Sequence, residues 1–176
     1  MRPPLSQKFP IFATQMANNR TIARALALAL LLLLSATLMS AQKVFRGTSS
    51  FYSDVVCNIN EGKVYKGNSS FQSDVLARFD GTSLYRSNSS YSSDIMMTWR
   101  DGKIFRGRSP YTSDVLATWR DGKMYSGTSP YQSDVLFTYK DNKVYRNNSP
   151  YISDVLLTTS ARIHPIILFM LLYPSP

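Results

Sequence analysis

The chain has 176 residues, a length that allows one compact domain or a short repeat array. Its formal charge of +9 falls to about +5 from Gln42 onward, because Arg2, Lys8, Arg20 and Arg24 precede that point. The later basic residues are interleaved with acids, which argues against nucleic acid as a partner. A single cysteine, Cys57, and a single histidine, His164, exclude a disulfide framework and a Cys/His zinc site, and no cofactor is expected.

Residues 1–41 read as an N-terminal extension followed by an export signal. Arg20 and Arg24 form a positive region, Ala25 to Leu34 an apolar core, and small residues precede a cut before Gln42. The core is shorter than the roughly 20 residues of a transmembrane helix, which disfavours the rival reading, an uncleaved anchor. Residues 1–15 sit awkwardly ahead of such a signal, and Met16 is the expected true start. The mature protein is therefore expected in the periplasm or outside the cell, with the membrane met during export.

Residues 42–160 form a repeat domain. From Lys43 the chain repeats six times with a period of twenty residues, on the pattern K-V-Y-R-G-x-S-[SP]-Y-x-S-D-V-L-x-T-W-R-D-G. Each unit carries two short apolar runs rich in β-branched and aromatic residues, both too short for helices. Glu61-Gly62, Asp101-Gly102, Asp121-Gly122 and Asp141-Asn142 separate one unit's second run from the next unit's first, with Asp80-Gly81 displaced by one residue. Such pairs suit type I′ turns, so the hairpins straddle the unit boundaries. In that register Trp119 lies opposite Met124 and Thr118 opposite Tyr125. One face then carries Val115, Ala117, Trp119 and Met124, and the other Leu116, Thr118 and Tyr125. Both faces are largely apolar, so hairpins must lean on one another. The first run (Lys43 to Arg46) and the last (Val155 to Thr158) lack turn partners. They can pair with each other and close the array, which removes exposed edges; an open array would need caps. The fold class expected is all-β, with twenty-residue hairpin repeats arranged radially as a closed array.

Within each unit the segment G-x-S-[SP]-Y-x-S-D links the two runs as a loop. Asp54, Asp74, Asp94, Asp114, Asp134 and Asp154 recur there. They are expected to cap loop backbone or to pair with the recurring Arg46, Lys66, Arg86, Arg106 and Arg146. A ring of carboxylates holding a hard cation is the alternative. Tyr91, Tyr111, Tyr131 and Tyr151 lie in the same loops, beside Ser or Pro, and Phe51 stands at the equivalent place. These tyrosines are the candidate ligand-binding residues, because exposed Tyr among small polar residues makes an adaptable recognition surface. The competing expectation is that they pack on the neighbouring hairpin as the rim of the core. Cys57 replaces Ala, Met, Phe or Leu of other units and reads as a small buried hydrophobe.

Residues 161–176 leave the repeat pattern, and Ile163 to Tyr173 are almost wholly apolar. At eleven residues the run is too short to span a bilayer. A short buried helix or strand that plugs the array is the preferred reading, with Pro165 in a first helical turn. Contact with a membrane surface, or an unnatural end, are the others. His164 stands in this tail before a proline, where it finds no triad partner in sequence.

The units Tyr85 to Ile95 and Phe105 to Val115, with the Leu172-Tyr173 pair near the end, resemble the bacterial β-flower proteins. The resemblance covers about residues 43 to 173. It implies a small secreted domain of hairpin petals around a rotational axis, with four or five petals against the six units here. It carries no catalytic, cofactor or metal residues to transfer. Gly122 to Gly127 has a weaker similarity to MORN repeats, which lack the S-x-Y-x-S-D segment. The reading that results is an exported, non-enzymatic β-repeat module with a structural or binding role. Its partner is expected to be a cell-surface protein or a glycan met through the loop tyrosines. A protein docking on membrane through its tail is the other alternative.

Overall fold

The computed structural model describes residues 41–174. The expected extension, export signal and start at Met16 lie outside the described residues. Twelve antiparallel strands close into one barrel. They are β1 (Gln42–Arg46), β2 (Val55–Asn60), β3 (Lys63–Lys66), β4 (Val75–Phe79), β5 (Ser83–Arg86), β6 (Ile95–Arg100), β7 (Lys103–Arg106), β8 (Val115–Arg120), β9 (Lys123–Ser126), β10 (Val135–Lys140), β11 (Lys143–Arg146) and β12 (Val155–Thr159). One helix follows, α1 (Pro165–Leu172). Strands of four to six residues are shorter than the roughly nine to eleven of a bilayer-crossing strand.

The turns impose the hairpins. Glu61, Asp101, Asp121 and Asp141 have φ near +50°, and the residue after each is also at positive φ, the backbone of a type I′ turn. In the displaced turn only Gly81 is positive (φ 100°), so Gly81-Thr82 has the type II′ pattern. The unit therefore keeps its length, and Phe79 still faces Leu84. Burial opposes the ionisation of Asp80. The backbone N–H groups of Ser83 and Thr82 and the Tyr85 hydroxyl outweigh it and hold the carboxyl below its ordinary range.

Trp119 faces Met124 and Thr118 faces Tyr125, as the turn chemistry requires. The expected sorting of faces is wrong at one place. Within each unit the ladder contains a bulge: Ile104 faces Ala117, but Phe105 faces Val115, and Leu116 is skipped. The extra residue turns Val115 to the outside with Phe105 and Tyr125, while Leu116 joins Ala117, Trp119 and Met124 against the central core. The same shift recurs in all six units, and bulges bend and twist a strand, which helps a ring of short strands to curve closed.

Closure is real. β1 pairs with β12, Val44 facing Thr159 and Arg46 facing Leu157. The seam repeats the bonds that join the other petals. Thr98, Thr118 and Thr138 donate their hydroxyls to the carbonyls of Gly107, Gly127 and Asn147 at 2.6, 2.7 and 2.9 Å. Thr158 does the same to Gly47 at 2.7 Å. On the outside, the Arg100 and Arg120 guanidinium groups lie 4.3 Å from the ring centres of Phe105 and Tyr125.

Twelve strands enclose more room than their own side chains fill, and α1 occupies it. Its sequence PIILFMLL is apolar on every side, as a helix surrounded by core must be. Ile166, Ile167, Leu168 and Phe169 are buried in one cluster with Val44, Leu84, Met97, Ile104, Met124 and Phe137. The first half of the helix is thus a plug in the barrel, while Met170, Leu171, Leu172 and Tyr173 are partly buried against it. The missing sixth turn is where the chain goes in. Ser160 is held by Lys43 through two bonds of 2.8 and 2.9 Å. The Tyr139 hydroxyl meets Thr159 Oγ1 at 2.8 Å and accepts from the Ile163 N–H at 3.1 Å. At the far end of α1 the Tyr173 hydroxyl donates to the Leu136 carbonyl at 3.1 Å.

Candidate functional site

A meander of this kind has two ends, one made of the tight turns and one of the six loops. Each loop leaves its first strand through a residue at positive φ, as at Gly107 (φ 53°), and enters the second through a short 3-10 turn ending in Asp. One side-chain pair shapes it. Ser49, Ser69, Ser89, Ser109, Ser129 and Ser149 each donate to Oδ2 of the Asp five residues later, and each also accepts the N–H of the aromatic residue two positions on. The recurring aspartates are therefore loop locks. Their partner is the serine hydroxyl rather than the expected Arg or Lys, because the 3-10 turn folds Asp back onto its own loop. Among the described residues no three His, Cys, Asp or Glu side chains gather as a metal site.

The backbone so fixed points the aromatic residue outward. Tyr91, Tyr111, Tyr131 and Tyr151 are 69–74% exposed, and Phe51 and Phe71 are at 72% and 71%. The expectation that these rings pack as core rim does not hold. The apolar neighbours that could cover them, such as Val115 and Phe105, are packed on each other. The loops also touch one another: the side-chain amides of Asn88 and Asn148 donate to Gln72 and Gln132 Oε1 at 2.7 Å. Six exposed rings at equivalent places, set among Ser, Asn, Gln and Pro, thus form one repeated face.

The turn end is different, and sequence reasoning missed it. The second residue before each of the five turns, and Thr159 at the seam that lacks one, points inward, so that the six units carry Ile59, Phe79, Trp99, Trp119, Tyr139 and Thr159 there. Their common repeat position was visible, but only closure brings them round one mouth. A cleft of about 540 Å³ opens there, lined by Phe79, Trp99, Trp119, Arg162, His164 and Ile167 among others. The His164 imidazole lies 4.6 Å from the rings of both Phe79 and Trp99, and burial lowers its pKa below the ordinary value. Its Nδ1 accepts from the Ile166 N–H at 3.4 Å, so it caps α1. Cys57 is fully buried in the core, and burial pushes its thiol up to about 12, the behaviour of an inert thiol.

No curated protein and no solved structure matches the chain. A family model described as "6-fold beta flower protein" matches residues 36–129 and, in a second overlapping match, residues 107–165. The resemblance in the repeat motifs held at the level of family, while the petal number is six rather than four or five. The fold is that of a structural repeat module. With six bulged hairpins, a seam that repeats their bonds and a family model spanning nearly all of the barrel, the chain belongs to the 6-fold beta flower proteins.

Proposed function

We propose that this protein is an exported, non-enzymatic binding module that grips a repetitive glycan with the aromatic face of its six loops. The carrying observation is the exposure of Tyr91, Tyr111, Tyr131 and Tyr151, with Phe51 and Phe71, at equivalent places on locked loops. A large aromatic ring left in water gains little for folding, and its repetition on all six loops is the kind of exposure that marks a binding surface. Flat aromatic rings suit the C–H faces of sugars, and neighbouring Ser, Asn and Gln can bond their hydroxyls. Each contact is weak alone, and six linked contacts gain by avidity on a polymer. Export rests on the signal-like segment within residues 16–41.

The test is glycan-array binding by the protein recovered from cells that express the full chain. The expected result is binding to one class of polysaccharide, lost by about 100-fold or more when Tyr91, Tyr111, Tyr131 and Tyr151 are all changed to Ala. A four-fold variant that binds as well as the parent overturns the reading. So does an array with no bound glycan, which would turn attention to a surface protein.

A further inference from the structure

The cleft at the turn end is unrelated to the loop face and has its own chemistry. Its volume, about 540 Å³, is that of a small-molecule pocket. Its walls are aromatic: Phe79, Trp99 and Trp119 stand on three successive hairpins. Its charge has one sign. Arg162 is the only ionised side chain among the described lining residues, and no carboxylate accompanies it. A second hollow of about 310 Å³ adjoins it, shares Trp119 and Arg162, and adds Lys140 and Asp141 at its outer side. Arg162 contributes its backbone carbonyl to the fold, accepting from Gln42 Nε2 at 3.3 Å, and its side chain is exposed. Among the described residues no side chain pairs with the guanidinium, which leaves it able to serve a ligand. The start of α1 cannot hold an anion in its place, because the Ile166 and Ile167 N–H groups are already taken by His164.

We propose that this mouth is a binding site for a small ring-bearing carboxylate, packed against the aromatic wall that Trp99 and Trp119 contribute and held by the Arg162 guanidinium. A flat ring fits aromatic walls, and an Arg fork pairs with both oxygens of a carboxylate. With His164 Nδ1 used by the Ile166 N–H, the neutral imidazole carries its proton on Nε2, a donor for a second polar group of the ligand. An aromatic acid and an acidic sugar share this chemistry.

The test uses the protein recovered from cells expressing the full chain. Its only two tryptophans are Trp99 and Trp119, so tryptophan emission excited selectively over tyrosine reports on this cleft and the hollow that adjoins it. Benzoate and galacturonate are titrated beside their uncharged counterparts, benzamide and galactose. The expected result is a saturable change in tryptophan emission with at least one acid and a much weaker one with its neutral partner. Arg162→Gln should weaken binding about tenfold or more, and Arg162→Lys less, with the circular dichroism spectrum unchanged. Whichever acid binds identifies the source. Two results overturn the proposal: no emission change with either acid up to about 10 mM, or Arg162→Gln binding as tightly as the parent. Changing the loop tyrosines to Ala should leave this titration intact, so failure here and failure of the glycan reading are separable.

Discussion

At the scale of single residues, the fold depends on a few atoms that have no alternative position. The Gly62 turn shows this. A Cβ there would lie 2.4 Å from the Phe79 carbonyl oxygen, beside the bond of 2.7 Å by which the Phe79 N–H donates to the Gly62 carbonyl and joins one hairpin to the next. Gly81 has φ of 100° but no atom within 4 Å of a new Cβ. Gly62→Ala should therefore cost more than Gly81→Ala, about 2–4 kcal/mol against about 1, in urea unfolding. Equal costs would mean that the close approach between hairpins is not maintained in solution. Cys57 gives a pH test. Its thiol is raised in the folded state from 9.0 to about 12. Between these values the unfolded chain loses the proton first, so stability falls as pH rises. The loss attributable to Cys57 should reach about 2 kcal/mol near pH 10.5 and be absent in Cys57→Ala, which removes the alkaline titration of tyrosines and lysines from the comparison. Parallel curves for the two proteins would show that the thiol is not buried.

At the scale of elements, the hairpins are written locally and the helix is not. Turn pairs such as Asp121-Gly122 need only their own backbone preference, and so the pairing of Trp119 with Met124 is legible in the sequence. The helix α1 is short, and an isolated eight-residue helix is unstable in water. Its existence depends on the barrel around it. Leu168 is fully buried on that helix, and Leu168→Ala should destabilise the protein by about 3 kcal/mol, measured as a lowered melting temperature. A negligible change would place the tail outside the barrel. The cap of the same helix is sensitive to acid. His164 has a lowered pKa in the folded state, so the unfolded chain binds the proton first as pH falls through about 6.5. The contribution of the neutral imidazole is full above that pH and declines below it. His164→Asn keeps a capping side chain and should flatten the stability profile below about pH 6.5; an unchanged slope would assign the dependence elsewhere.

At the scale of the whole molecule, six petals and one helix form a matched set. The bore of a barrel grows with strand number, and twelve strands accommodate α1. Removal of one twenty-residue unit in register, residues 103–122, leaves ten strands and a narrower interior. That five-petal chain should fail to bury its helix, with loss of the cooperative unfolding transition and a larger hydrodynamic size. A five-petal chain that melts at the same temperature as the parent would show that the plug does not set the petal number.

Sequence alone determined the period, four of the five turn types, the partners within each hairpin and the loop positions of the aromatic residues; the displaced turn, read with the type I′ pairs, is type II′ at Gly81-Thr82. Apart from the period, which is read from the six copies, these follow from backbone preferences and spacings among neighbouring residues. It also framed closure correctly, because the two unpaired runs, Lys43 to Arg46 and Val155 to Thr158, could satisfy each other's backbone. Tertiary structure alone decided which side chains face the axis. The bulge that exchanges Val115 and Leu116 depends on the match between a four-residue strand and its longer partner across the loop. Exposure of the loop tyrosines was decided by the Ser–Asp lock, which fixes the loop backbone with the ring outward. The aromatic mouth around His164 and Arg162 required every unit at once. Trp99 and Trp119 become one site only when the ring has closed and the chain has passed through the gap left by its missing turn.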